Sequence, residues 1–243
     1  MRRSLAFVTA LALVVPQAVS AADQTKPLRT LVYTVVYSTQ RRDNEQTSGF
    51  TGAGGGPGTA GGMATRTSSS DDDGSLTVNV IAATADGGLV VDTSYAGKAT
   101  QQPSLRVAIF SDGRLSVPPN GTVSAAAAYV LPLLARGTVA SRTLEAGATW
   151  SRPAAPPAKG VTTFRVTSID GQNATLEIHG SISMPGARGY DETTTGTAVY
   201  DTEKLAPVSY DLVSTSRHTL MDQYITSSAH LTATLVSDTF GAK

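Results

Sequence analysis

Apolar and polar residues alternate with period two along most of the chain, the signature of strands with one face buried. Leu76, Val78, Val80 and Ala82 share one face. Ala85-Asp86-Gly87-Gly88 then turns the chain, and Leu89, Val91, Thr93 and Tyr95 carry the same face back. Leu105, Val107 and Ile109 repeat the pattern, and Ser111-Asp112-Gly113-Arg114 leads into Leu115 and Val117. In the second half, Phe164 and Val166 precede the turn Asp170-Gly171-Gln172-Asn173, with Ala174, Leu176 and Ile178 after it. A turn near Pro185-Gly186 leads to Ala198-Val199-Tyr200, and Asp201 to Lys204 turns into Val208, Tyr210 and Leu212. Tyr224 to Val236 forms the last strand, with Leu231, Ala233 and Leu235 on one face. The first strand lies in Leu28 to Thr39, a run of Val, Tyr and Thr.

Helical character is confined to one place. Pro118-Pro119 ends a strand, Thr122 or Ser124 offers an N-cap, and Ala125 to Arg136 reads as a helix kinked by Pro132. Its Val130, Leu131, Leu133 and Leu134 need a sheet to cover. About nine or ten strands in sequential hairpins with one helix predict a mainly β protein. The expected architecture is a strongly curved antiparallel sheet, an open or half barrel, with the helix packed on it.

Two segments stand outside this pattern. Arg2-Arg3, the apolar run Leu5 to Val15, Pro16 and the small residues Ala18 to Ala22 read as a signal peptide over residues 1–22. The apolar run is too short to cross a bilayer, and no later stretch approaches the length of a transmembrane helix. The expectation is an exported protein, periplasmic or extracellular. Between Gly49 and Gly62, eight of fourteen residues are Gly, and Ser68 to Ser70 and Asp71 to Asp73 follow. Residues 44–74 are therefore expected to be a flexible loop, since they offer little apolar area to offset their ordering entropy. One β domain remains, with its first strand in residues 23–43 and its remainder in 75–243.

Composition narrows the chemistry. Basic and acidic residues number 19 each, and losing Arg2 and Arg3 with the leader leaves 17 against 19. No positive excess is present to bind nucleic acid through its phosphates. Cys is absent, which excludes disulfide frameworks, thiolate metal sites and thiol nucleophiles. Thr and Ser number 33 and 24, a composition that suits the polar faces of strands.

No catalytic constellation emerges. His218 and His230, with Asp222 between them, fall on neighbouring strands, but alternation puts them on opposite faces or in solvent. Ser214, Ser216, His218 and Asp222 supply the residue types of a serine triad without any G-x-S-x-G elbow. Gly56-Pro57-Gly58-Thr59-Ala60-Gly61 spells a dinucleotide fingerprint in low-complexity sequence that opens no helix. Asp71 to Asp73 lack the alternating ligands of a calcium loop. No cofactor is expected.

Three passages carry a resemblance: Leu144-Glu145-Ala146-Gly147-Ala148-Thr149-Trp150, the hairpin strand Gly196 to Asp201, and the run Val161 to Ile182. They resemble uncharacterised secreted bacterial β-rich proteins over most of Leu76 to Phe240. At fold level the chain is similar to the half-barrel carriers of lipids and lipoprotein acyl chains, which carry more helices across the sheet than the single one found here. The resemblance implies a curved sheet and, by fold analogy, a carrier role, but no enzymatic activity. The expected ligand is an apolar small molecule or lipid held in the concavity, with Tyr129, Leu131, Leu134, Trp150, Tyr210 and Tyr224 as candidate contacts. The alternative is a cell-envelope structural or assembly protein with an unknown protein partner. A hydrolase is the least favoured reading. A void larger than about 300 Å³ favours the ligand, whereas a core filled by Leu131, Leu134 and aromatic residues favours the structural role.

Overall fold

The computed structural model describes residues 26–45, 64–154, 157–184, 189–220 and 223–241. The leader, the glycine-rich stretch 46–63, Pro185-Gly186 and Asp222 lie outside the described residues. The first half supplies β1 (Arg29–Glu45), β2 (Ala64–Ala83), β3 (Leu89–Gly97), β4 (Gln101–Ile109) and β5 (Leu115–Ser116). After α1 (Ala125–Leu134) come β6 (Thr149–Pro153), β7 (Lys159–Asp170), β8 (Asn173–Met184), β9 (Tyr190–Asp201), β10 (Ala206–Leu220) and β11 (Gln223–Asp238).

All eleven strands form one antiparallel sheet in the order β5-β4-β3-β2-β1-β11-β10-β9-β8-β7-β6, which is not closed into a barrel. Each half is a meander, and the halves are joined by pairing the first strand with the last. Tyr33, Val35 and Tyr37 of β1 stand opposite Leu235, Ala233 and Leu231 of β11, so the seam lies in the middle of the core. One continuous apolar cluster takes residues from β1 to β4, from α1 and from β7 to β11. The curved sheet therefore wraps its inner face around the helix.

The alternation read from the sequence supplies that inner face. Leu31, Tyr33 and Val35, Leu76 and Val78, Leu176 and Ala174, and Leu231 and Ala233 are all buried. Their neighbours in sequence point outward. Sheet twist and bulges move this parity at a few places, between Val80 and Ala82 and between Val166 and Ser168.

Residues 64–74 correct the expected boundaries of the flexible loop. Ala64 pairs with Glu45, and the ladder runs without a break to Arg29 opposite Val80. The Ser and Asp run has weak strand propensity of its own, but neighbouring strands satisfy it. Asp72 is buried and accepts the Ala99 amide at 3.0 Å, and Lys98 pairs with Asp73 at 2.5 Å. Gly74 makes this approach possible, because a Cβ there would come within 2.8 Å of the Tyr95 ring and 2.6 Å of the Ala96 carbonyl.

The two edges of the sheet, β5 and β6, are short, and α1 with the turn after it lies between them. Ser124 caps the helix by accepting the Ala127 amide at 3.2 Å. Past the helix, the Gly137 amide donates to the Ser111 carbonyl at 2.8 Å, which ties the helix exit to the β4–β5 turn. Gly113 of that turn has φ +84, and a Cβ on it would lie 2.6 Å from Nη1 of Arg152 on β6. Helix, turn and Arg152 thus fill the gap that a closed barrel would span with hydrogen bonds. Among the described residues, no helix is long and apolar enough to cross a membrane.

Candidate functional site

Reading across the registers, the inner face of the second half is stratified. Phe164, Ile178, Gly196, Leu212 and Leu231 stand opposite one another in one row. The next row holds Thr162, Gly180, Thr194, Ser214 and Ala229, and the one beyond holds Ile182, Glu192, Ser216 and Ser227. Along the strands the concave face therefore passes from apolar to hydroxylic to charged. Gly180 of the middle row carries no side chain and leaves room between sheet and α1.

That room is an apolar cavity of about 170 Å³ lined by Pro132 and Leu133 of α1 and by Phe164, Ile178, Ile182, Tyr210 and Leu212 of the sheet. Next to it lies a more open basin of about 380 Å³ whose lining combines the hydroxyls of Tyr37, Thr39, Tyr190, Ser214, Ser216 and Ser227 with ring and methyl surface, including that of Ala125 and Ala229. Ala128, Tyr129 and Glu192 line both, so the two are neighbours across a shared wall. The apolar cavity alone falls below the ~300 Å³ of typical ligand pockets, whereas the basin exceeds it.

Glu192 is the centre of the wall. Its carboxylate accepts hydrogen bonds from the Tyr129 hydroxyl at 3.0 Å, from Thr194 Oγ1 at 3.2 Å and from the Tyr190 hydroxyl. Burial pushes Tyr129 up to about 12, with the Glu192 charge adding to the effect against the opposing pull of its Ser214 contact. Burial, followed by the hydrogen bond and charge of Glu192, raises Tyr190 further, and burial with Glu192 also raises Tyr37. All three phenols remain protonated donors at neutral pH. Pro132 contributes differently: lacking an N–H, it removes the donor that would have bonded the Ala128 carbonyl.

The candidates named from sequence divide by face. Tyr129 lies in the shared wall, and Tyr210 lines the apolar cavity while donating to the Val130 carbonyl at 3.4 Å. Leu131 and Leu134 do not line it; Leu131 is fully buried in the core. The helical period is the reason: Ala128, Tyr129, Pro132 and Leu133 lie within about 140° of one another, and Val130, Leu131 and Leu134 fall on the other side. Trp150 stands opposite Phe164, stacks on it with ring centroids 5.5 Å apart, and does not line the cavity. Tyr224 departs most from expectation. It belongs to the outward parity of β11, is 36% exposed, and lies under the Arg217 guanidinium at 4.6 Å.

His218 and His230 are on opposite faces. His218 shares the inward parity of Leu212 and packs on the Tyr190 ring at 4.6 Å, whereas His230 faces outward and meets Asp211 at 2.8 Å. Ser214 and Ser216 line the basin, with Asp222 outside the described residues. Among the described residues no group of three or more His, Asp or Glu is placed to hold a metal.

Tyr37, Tyr190 and Glu192 were not singled out from sequence. A signal was present: Tyr190, Glu192, Thr194, Gly196, Ala198 and Tyr200 share one parity, so burial of Ala198 and Tyr200 places a carboxylate on the concave face. Comparison with protein-family models and with curated proteins returns no match.

Proposed function

We propose that the chain is an exported binding or carrier module that takes an amphipathic ligand, the apolar part under α1 and the polar part in the adjoining basin. Export rests on the leader-like composition of residues 1–22. The observation that carries the binding reading is the shared wall of Ala128, Tyr129 and Glu192 between an apolar cavity and a polar basin. The cavity is of the size of engineered voids of about 150 Å³ that admit benzene, enough for one ring or a short alkyl segment. An amphipath has the matching polarity and gains from each compartment separately.

A structural or assembly role is the second reading, favoured by the complete burial of Leu131 against the sheet. Gly180 separates the two. It lies in the cavity wall, and a Cβ there meets Thr162 and Thr194 at ordinary distances of 3.4 and 3.5 Å. A side chain at 180 therefore starts without forcing the backbone, and the leucine of Gly180→Leu extends from there into the cavity. Delipidated wild-type protein is expected to bind the neutral apolar fluorophore N-phenyl-1-naphthylamine saturably, and G180L to lose at least tenfold in affinity while keeping its thermal midpoint. Absence of saturable binding by the wild type overturns the proposal and leaves the structural role.

A further inference from the structure

We propose that the polar basin is a cation subsite, which takes the ammonium end of an alkylammonium amphipath and is selected by Glu192 together with Tyr37, Tyr129 and Tyr190. This rests on the reading of cavity and basin as one binding site and names the class of its ligand. Among the described residues, Glu192 is the one formally charged side chain lining the basin. It makes no ion pair with any described residue; its described partners are hydroxyls. Hydroxyl donors orient a carboxylate but leave its charge in place, so the basin keeps a fixed negative centre facing open space. The remaining groups favour the same sign of ligand. Three tyrosine rings bound the site, and phenol rings attract cations through their π-electrons. The serine oxygens of Ser214, Ser216 and Ser227 add acceptors.

Arg41 stands opposite Ser227 in the row of Glu192 and pairs with Asp43. Arg152 lines the apolar cavity. It sits on β6, three strands from the β9 strand that carries Glu192, or about 14 Å at the usual strand spacing. Its guanidinium is turned to the Gly113 turn, where Asp112 is ion-paired with Arg114, and its Nη1 is buried without a hydrogen-bond partner. An anionic headgroup in the basin would meet Glu192 with no cationic side chain among the described lining residues. His218 stands opposite Tyr190 one row beyond Ser216 on the same concave face, packs on the Tyr190 ring, and is not among the residues lining the basin. Because acidic and basic residues balance over the whole chain, the preference has to come from the site and not from net charge.

A matched series with one chain length tests this: octylamine (protonated at pH 7), octanol and octanoate, titrated into delipidated full-length protein by calorimetry. In the wild type, octylamine is expected to bind at least tenfold tighter than octanol, and octanoate more weakly than octanol. In Glu192→Gln the ratio of amine to octanol affinity should fall to within threefold, with circular dichroism confirming that the variant is folded. Octanoate binding as tightly as octylamine, or an amine preference that survives in E192Q, overturns the proposal. Octanol binding with no amine preference overturns the cation subsite alone. Failure of all three ligands to bind overturns it together with the binding reading beneath it. If E192Q does not fold, the wild-type ranking decides.

Discussion

Single side chains set both the stability of the seam and its response to acid. Arg29 near the start of β1 and Asp238 at the end of β11 form a bidentate pair, Nε to Oδ1 at 2.9 Å and Nη2 to Oδ2 at 2.7 Å, with both side chains largely buried. Burial alone would raise the Asp238 carboxyl. The Arg29 hydrogen bonds, the Phe240 amide and the nearby Arg29 and Lys204 charges outweigh it and hold Asp238 below the usual carboxylate range. A folded-state value below the unfolded one means the pair stabilises the protein above about pH 4 and loses that contribution as pH falls through the folded value. Asp238→Asn should cost about 3 kcal/mol at pH 7, because it leaves Arg29 partly buried without its counter-ion. The difference from wild type should shrink steadily below pH 4. Urea denaturation at a series of pH values checks this; a constant difference down to pH 2 would show that the loss is one of packing and not of charge.

At the scale of the element, α1 has two apolar sides with different duties. Leu131 packs wholly into the core, whereas Leu133 lines the cavity. Leu131→Ala should therefore cost about 2–5 kcal/mol, as for any well-packed leucine, and leave probe affinity at the wild-type value. Leu133→Ala should cost less, since part of its surroundings is already empty, and should change probe affinity by enlarging the cavity. Thermal melts and probe titrations of the two variants measure both effects. Equal stability losses with equal affinity changes would remove the distinction between the faces. β2 shows the converse principle, that an element is not fixed by its own residues. Its Ser and Asp half becomes strand because β1 offers a ladder and Ala99 an amide for Asp72.

For the whole molecule, the consequential feature is where the chain closes. β1 has β2 on one side and β11 on the other, so the first strand lacks its second partner until the last strand is in place. Removing residues 223–243 would expose unpaired edges on β1 and β10 and uncover Leu31, Tyr33 and Val35 beside them. That truncation is expected to abolish cooperative unfolding and to produce aggregates, as long apolar edges do. Size-exclusion chromatography with circular dichroism tests it. A monomeric, cooperatively melting truncation would mean that the β1–β5 half folds without its seam.

The sequence alone determined the class of architecture, because period-two alternation and turn chemistry are local and act strand by strand. Leu76, Val78 and Val80 declare an inner face wherever their strand ends up, and Pro118-Pro119, Ser124 and the alanine run mark helix α1 for equally local reasons. Glu192 on inward parity was legible in the same way. Tertiary structure alone decided the rest. Whether residues 64–74 become strand depends on β1, a neighbour reached only across the sheet. Which side of α1 meets a void depends on Gly180, which alternation assigns to a face but whose missing side chain matters only once rows are aligned. The meeting of Tyr37, Tyr129, Tyr190 and Glu192 joins β1, α1 and β9, elements whose distance in the sequence carries no information about their distance in space. Parity is a property of one strand, whereas a site is a property of registers between strands, and register is set by the fold as a whole.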